Sequence, residues 1–191
     1  HVGLAHAYKR LQMRQQGLDP NRWYDPMTAV SIVAQRRGSA WEQYVPAVHR
    51  ALEAYGVEYG HEADLRHGPR VVSVEEEYDL SDLVGVPYTQ RADLVLLTSG
   101  GLHYIMDHKF VSVIEARTLR RYTLSRQFLG YARLGQALWG GAFGGVVLNL
   151  VSWRRPHGFV RSTLEPAPDA VRRLPETLQR DMVDLRRLEA E

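Results

Sequence analysis

The 191-residue sequence contains no cysteine. Disulfides, thiolate zinc sites, iron–sulfur clusters and a cysteine nucleophile are therefore excluded within this chain, while the redox compartment is left open. Long apolar runs are also missing. None approaches the ~18 residues of a membrane-spanning helix, and no charged-then-apolar leader opens the sequence, so an intracellular protein with no membrane partner is expected. Lysine is scarce: Lys9 and Lys109 are the only two among 24 basic residues. In so arginine-biased a chain, a retained lysine suggests chemistry that the permanently charged guanidinium cannot perform.

Charge of one sign is not in excess. The chain has 24 basic and 22 acidic residues, a net charge of +2, and 45% apolar residues, which is enough for one domain over 1–191 with an ample core. The charges are segregated, however. Residues 42–108 carry twelve acids and four arginines, whereas residues 111–161 carry eight arginines (117, 120, 121, 126, 133, 154, 155 and 161) and a single acid, Glu115. A carboxylate-rich stretch beside an arginine-rich one suits a metal-assisted enzyme acting on a polyanion. Two solvated faces of opposite sign are the alternative.

The periodicity predicts a helix over 6–16, a loop over 17–27, and a helix opened by the capping box Ser39 to Glu42 that runs to Tyr55, with a kink at Pro46 and a stop at Gly56. The period then shortens. Residues 71–78, 92–97 and 102–110 read as strands, the last two joined by the turn Thr98 to Gly101. A helix over 124–139, a buried strand over 145–153, a short strand over 159–164 and an amphipathic helix over 169–191, restarted at Pro175, complete an α/β or α+β arrangement around a mixed sheet. Histidines 61 and 67 are six apart, so they do not share a helical face as a zinc-protease pair would, and this segment reads as a loop.

Asp93 lies on one predicted strand and Asp107-His108-Lys109 on the next. Alternation along a strand puts Asp107 and Lys109 on one face and His108 on the other. A hairpin can set Asp93 beside Asp107, where two carboxylates repel unless a cation lies between them, and a hard oxygen site suits Mg²⁺ or Mn²⁺. Lys109 would stand over the same site, able to orient an attacking water and to stabilise charge on a phosphate. A surface hairpin with solvated charges is the other reading. Gln127 and Tyr131, four apart on a helix, share a face where amide and phenol can bridge substrate and site; an amphipathic helix with Tyr131 in the core has the same pattern.

These residues resemble the signatures of the PD-(D/E)XK nuclease superfamily, in its RecB-like and phage-exonuclease branch. YTQRAD at 88–93 is similar to that branch's G-x-(I/V)-D strand, with Gln90 or Arg91 in place of the glycine, and YIMDHK at 104–109 to its (I/V)-x-D-(Y/H)-K strand. QFLGY at 127–131 is similar to its Q-x-x-x-Y helix, GLAH at 3–6 to its G-x-x-H helix start, and VEEEY at 74–78 to the strand that contributes a glutamate. The resemblance implies a restriction-endonuclease-like core without an iron–sulfur cluster. It also implies Asp93, Asp107 and His6 as metal ligands and Lys109 as the catalytic lysine. Glu75 and Glu77 share a strand face and either can serve as the site glutamate, the alignment of Tyr78 favouring Glu75.

The expected function is a Mg²⁺- or Mn²⁺-dependent deoxyribonuclease, acting in a bacterial or phage-infected cytoplasm in DNA recombination, repair or phage DNA processing. It would hydrolyse phosphodiester bonds with metal-activated water and leave 5′-phosphate ends. Gln127 and Tyr131 would position DNA, and Arg120, Arg121 and Arg126 would contact its backbone, with Arg154 and Arg155 as weaker candidates. A helicase, recombinase or single-strand-binding protein is the expected kind of protein partner. The alternative is a nuclease-like DNA-binding or assembly module of a larger complex, with little or no cleavage.

Overall fold

The computed structural model describes residues 1–63, 68–154 and 158–189. Three runs rich in β-branched and aromatic residues form an antiparallel meander: β1 (Arg70–Asp79), β2 (Thr89–Leu97) and β3 (His103–Val111). The turn between β2 and β3 closes with Gly101 at φ 80°, a left-handed conformation that glycine adopts without steric cost. From β3 the chain crosses through α6 (Ala116–Thr123) and α7 (Arg126–Trp139) and returns as β4 (Phe143–Ser152), parallel to β3. The last strand, β5 (Phe159–Leu164), pairs antiparallel with β4, giving a mixed sheet in the order 1-2-3-4-5.

Helices cover both faces, and the architecture is α+β. On one face α1 (Val2–Gln15), α2 (Pro26–Arg37) and α4 (Val45–Tyr59) bury Leu4, Leu11 and Leu52 against Leu94, Met106 and Val151. On the other, α7 lies on β3 and β4 with α5 (Ser81–Val84), α8 (Pro168–Arg172) and α9 (Leu174–Glu189) beside it. Here Phe128, Tyr131 and Leu174 pack against Ile105, Leu148 and Leu150. Strand β4 is covered on both sides, which is why its sequence is apolar almost without alternation.

The helical boundaries differ from expectation in instructive ways. The first helix extends back to Val2, so His6 is mid-helix. The predicted loop over 17–27 gives way to α2 at Pro26. Asp25 caps α2, its side chain accepting from Met27 N and Thr28 N, with Pro26 in the first helical turn. The capping-box helix is two helices, α3 (Ser39–Glu42) and α4. Pro46 does not kink the second of these: it lies in the first turn, where its missing N–H costs nothing, and the helix passes Gly56 to end at Tyr59. Of the segment 61–67, residues 64–67 lie outside the described residues.

The sheet forks where the predicted carboxylates stand. The β2–β3 ladder ends at the pair Leu94 and Met106, so Asp93 and Asp107 are next in register and begin the gap. Beyond it, β2 stays paired with β1 to Thr89 and β3 stays paired with β4 to Val111. Backbone groups at the fork lose their strand partners, and side chains take over. Asp93 Oδ2 accepts from His108 N at 2.7 Å, and the Tyr131 hydroxyl donates to Arg91 O at 2.7 Å.

Candidate metal centre at the fork of the sheet

Alternation along β3 sends Asp107 and Lys109 towards α7 and His108 towards α1. Asp107 is fully buried. Its Oδ1 accepts from Gln127 Nε2 at 2.9 Å, and Lys109 Nζ lies 2.7 Å from Oδ2. The Gln127 amide also donates to the Tyr131 hydroxyl at 3.0 Å. The i, i+4 pair on α7 thus clamps Asp107, and Tyr131 is fully buried. Gln127, Tyr131, Asp93, Lys109, Glu77 and His1 line one cleft of about 560 Å³.

Across the fork, His1 Nε2 lies 2.9 Å from Asp93 Oδ1, and His1 Nδ1 lies 3.4 Å from Glu75 Oε1. Arg91 Nε holds the other Glu75 oxygen at 3.0 Å. The β1–β2 pairs on either side put Glu75 opposite Asp93. Among the described residues Glu75 is the one non-glycine at positive φ, 56°, a strained conformation for a residue with a side chain. Glu77 is left exposed on the cleft rim and Glu76 accepts from Tyr78.

Three carboxylates, Glu75, Asp93 and Asp107, meet three cationic partners, His1, Arg91 and Lys109, and burial perturbs the ionisation of each acid. Burial, then the charge of Asp93, raises the Asp107 carboxyl to about 6, with Lys109 opposing. Burial likewise raises Glu75, offset by His1 and Arg91. Burial also acts to raise Asp93, but the bonds from His1 and from His108 N outweigh it, and its carboxyl lies below the usual range. The hydrogen bond to Asp93 draws a proton onto His1, whose affinity for it is raised despite burial. Glu75 Oε1 and Asp107 Oδ2 are both buried, and each faces a cationic neighbour, His1 and Lys109 respectively.

These observations fit a divalent cation. One ligand atom each from His1, Glu75 and Asp93 lie within 4.8 Å of one another, and carboxylate oxygens with one imidazole suit Mg²⁺ or Mn²⁺. Asp107 sits beside this group with its oxygens held by Gln127 and Lys109.

His6 is placed elsewhere. Five residues along a helix turn it about 140° from His1, and its ring packs against Trp23 and Tyr24, with Nδ1 3.3 Å from Tyr24 O. Histidine at the N-cap of α1 is therefore the one that reaches the carboxylates, a position that the predicted start of this helix at residue 6 concealed. The arginines divide as well. Arg120 and Arg121 project from α6 into solvent, whereas Arg126 is ion-paired with Asp181 of α9 at 2.7 Å. Arg154 is exposed, and Arg155 lies outside the described residues.

Gln90, in place of the expected glycine, ties β2 to α7. It donates to Gln127 O at 3.0 Å and to the Tyr88 hydroxyl at 2.7 Å, and it occupies the space left by Gly130, where a Cβ would come within 2.5 Å of the amide. Sequence reasoning also missed a buried polar row behind the site. His108 Nδ1 pairs with Asn149 Nδ2 at 2.7 Å, Asn149 Oδ1 accepts from Arg161 Nε at 3.2 Å, and Arg161 is bound by Glu62 and by the Tyr8 and Tyr55 hydroxyls. The available signal was Asn149, a lone amide inside an apolar strand.

Comparison with known protein families and with curated protein sequences finds no match for this chain.

Proposed function

We propose that the protein is a metal-dependent deoxyribonuclease built on a restriction-endonuclease-like core. The observation that carries this reading is the juxtaposition, at the fork, of Glu75, Asp93 and Asp107 with Lys109, beside an open cleft that Asp93 and Lys109 line. The expected resemblance to RecB-like nucleases rests on the same residues. Asp93, Glu75 and His1 would hold the cation, with Asp107 adjoining. When bound, it supplies Lewis acidity and neutralises phosphate charge.

The chain's own groups supply the rest. Gln127 and Tyr131 fix the Asp107 carboxylate, so its geometry is set before substrate arrives. Lys109, held by Asp107 and lying 5.9 Å from the centre of the Tyr122 ring, presents its ammonium to the scissile phosphate and to the incoming water. Water oxygen bonds to phosphorus as the P–O3′ bond breaks, leaving a 5′-phosphate and a 3′-hydroxyl, the departing oxygen taking a proton.

The test is incubation of the purified protein with linear and circular DNA, with and without Mg²⁺ or Mn²⁺. Cutting that requires the cation supports the reading. Binding without cutting assigns a DNA-binding or assembly module instead, and neither binding nor cutting overturns both.

A further inference from the structure

A second concavity, of about 480 Å³, opens beside the cleft on the α1 side of the sheet. Its floor is apolar, formed by valines of α2 and α4 with Phe110 of β3. Its rim carries three aromatic residues, Trp41, Tyr44 and Trp153. Soluble surfaces ordinarily hide such rings, yet Trp41 is 51% and Tyr44 46% exposed. Their neighbours are cations: Arg37 lies 4.9 Å from the centre of the Trp41 ring and Arg154 lies 5.2 Å from that of Trp153, and no acid lines the groove among the described residues. His1 lines both this groove and the cleft at the fork, so the two adjoin.

Exposed rings interleaved with guanidinium groups provide flat faces for stacking and positive charge for a phosphate backbone. Every base has a face to stack, but in a duplex those faces are taken by neighbouring pairs. We infer that this groove is a stacking platform for unpaired bases, and that the substrate of the adjoining site is a single-stranded segment of DNA that passes over His1 with its bases on Trp41, Tyr44 and Trp153. An apolar protein segment would use the valine floor but would leave Arg37 and Arg154 without a counter-charge. A polyanion with aromatic bases uses both. The inference names the substrate class of the site proposed above and rests on that reading for the cutting step, though not for binding.

The experiment measures binding of labelled oligothymidylate and of a hairpin duplex of equal length to the full chain carrying Asp107→Asn, with Mn²⁺ present, so that the strand stays uncut. Cleavage of the same oligonucleotide by the unsubstituted chain is followed in parallel. The single strand is expected to bind tighter than the duplex and to quench the tryptophan fluorescence. Trp41→Ala with Trp153→Ala should weaken single-strand binding by about tenfold or more with the duplex little affected, and Trp41→Phe should retain most of it. Both rings are on the rim, and circular dichroism checks that the variants fold. Equal single-strand affinity in the alanine variant, a preference for duplex, or a groove that takes an apolar dye but no oligonucleotide overturns the inference. Ring-dependent single-strand binding without cleavage by the unsubstituted chain overturns the nuclease reading and leaves the platform standing.

Discussion

Strand β3 feeds two polar clusters at once, because Asp107 and Lys109 point to one side of the sheet and His108 to the other. The clusters differ in composition. On the α7 side, three carboxylates converge with His1, Arg91 and Lys109 beside a cleft that Asp93 and Lys109 line, and Asp107 is pushed up to about 6 by burial and by Asp93. On the α1 side, the Arg161 charge is matched by Glu62, shared with two tyrosine hydroxyls and Asn149, and shut away from the cleft. There burial holds His108 down to about 3, a neutral imidazole stacked on Tyr8 at 5.6 Å between ring centres. Perturbed ionisation alone therefore does not mark a site: it occurs on both sides. The distinguishing feature is a set of ligand atoms, from His1, Glu75 and Asp93, within 4.8 Å of one another, and among the described residues it occurs on one side.

Substitutions can break this contrast. The largest effects are expected on the cleft side: Asp107→Asn and Lys109→Ala should each lower DNA cleavage by about two to four orders of magnitude. Asp107→Asn should leave the thermal midpoint unchanged or higher, because it removes a buried charge that the fold disfavours. A cleavage rate within a fewfold of the unsubstituted chain would place the chemistry elsewhere.

On the other side the balance reverses. Arg161→Met leaves Glu62 buried without its counter-charge and should cost about 3–5 kcal/mol of stability in denaturant unfolding, while cleavage per folded molecule persists. Loss of cleavage at full stability would show the two clusters to be one.

Smaller effects sharpen the account. Gly130→Ala forces Gln90 from its place between β2 and α7, and overpacking of this kind costs about 1–3 kcal/mol. Because α7 carries Gln127, cleavage should fall as well, a coupling that paired melting and rate measurements would detect. Asp25→Ala, remote from both clusters, should cost only about 1 kcal/mol through loss of the α2 cap and should leave the rate untouched. The bonds from the Thr28 side chain and backbone hold the Asp25 carboxyl below its ordinary value. Its contribution is therefore present above the unfolded carboxyl range and fades as pH falls through the lower folded value, so the gap between variant and parent melting curves should narrow in acid.

The sheet and the α7 side of the site were legible in the sequence for physical reasons. Alternation predicts that Asp107 and Lys109 share a face, and helical spacing predicts that Gln127 and Tyr131 do. Both are local geometry, and the structure has them so. The fork was not legible, because it depends on where a ladder stops, which residues 93 and 107 do not encode by themselves. Nor was His1, since its role follows from how α1 docks its N-terminus on the sheet. Glu75 was readable as a candidate but not as a strained one. The aspartate–proline start of α2 was a local signal that could have been read, and the aromatic groove became visible only once Trp41 and Trp153, distant in sequence, were brought together.

Calorimetric titration of Mn²⁺ into the protein, against Glu75→Gln and Asp93→Asn, tests the fork most directly. Saturable binding by the unsubstituted chain is expected, with heat that depends on the buffer because His1 gives up its proton, and with affinity lost by about tenfold or more in each variant. No saturable binding, or binding that both variants retain in full, would contradict a metal centre formed by these carboxylates.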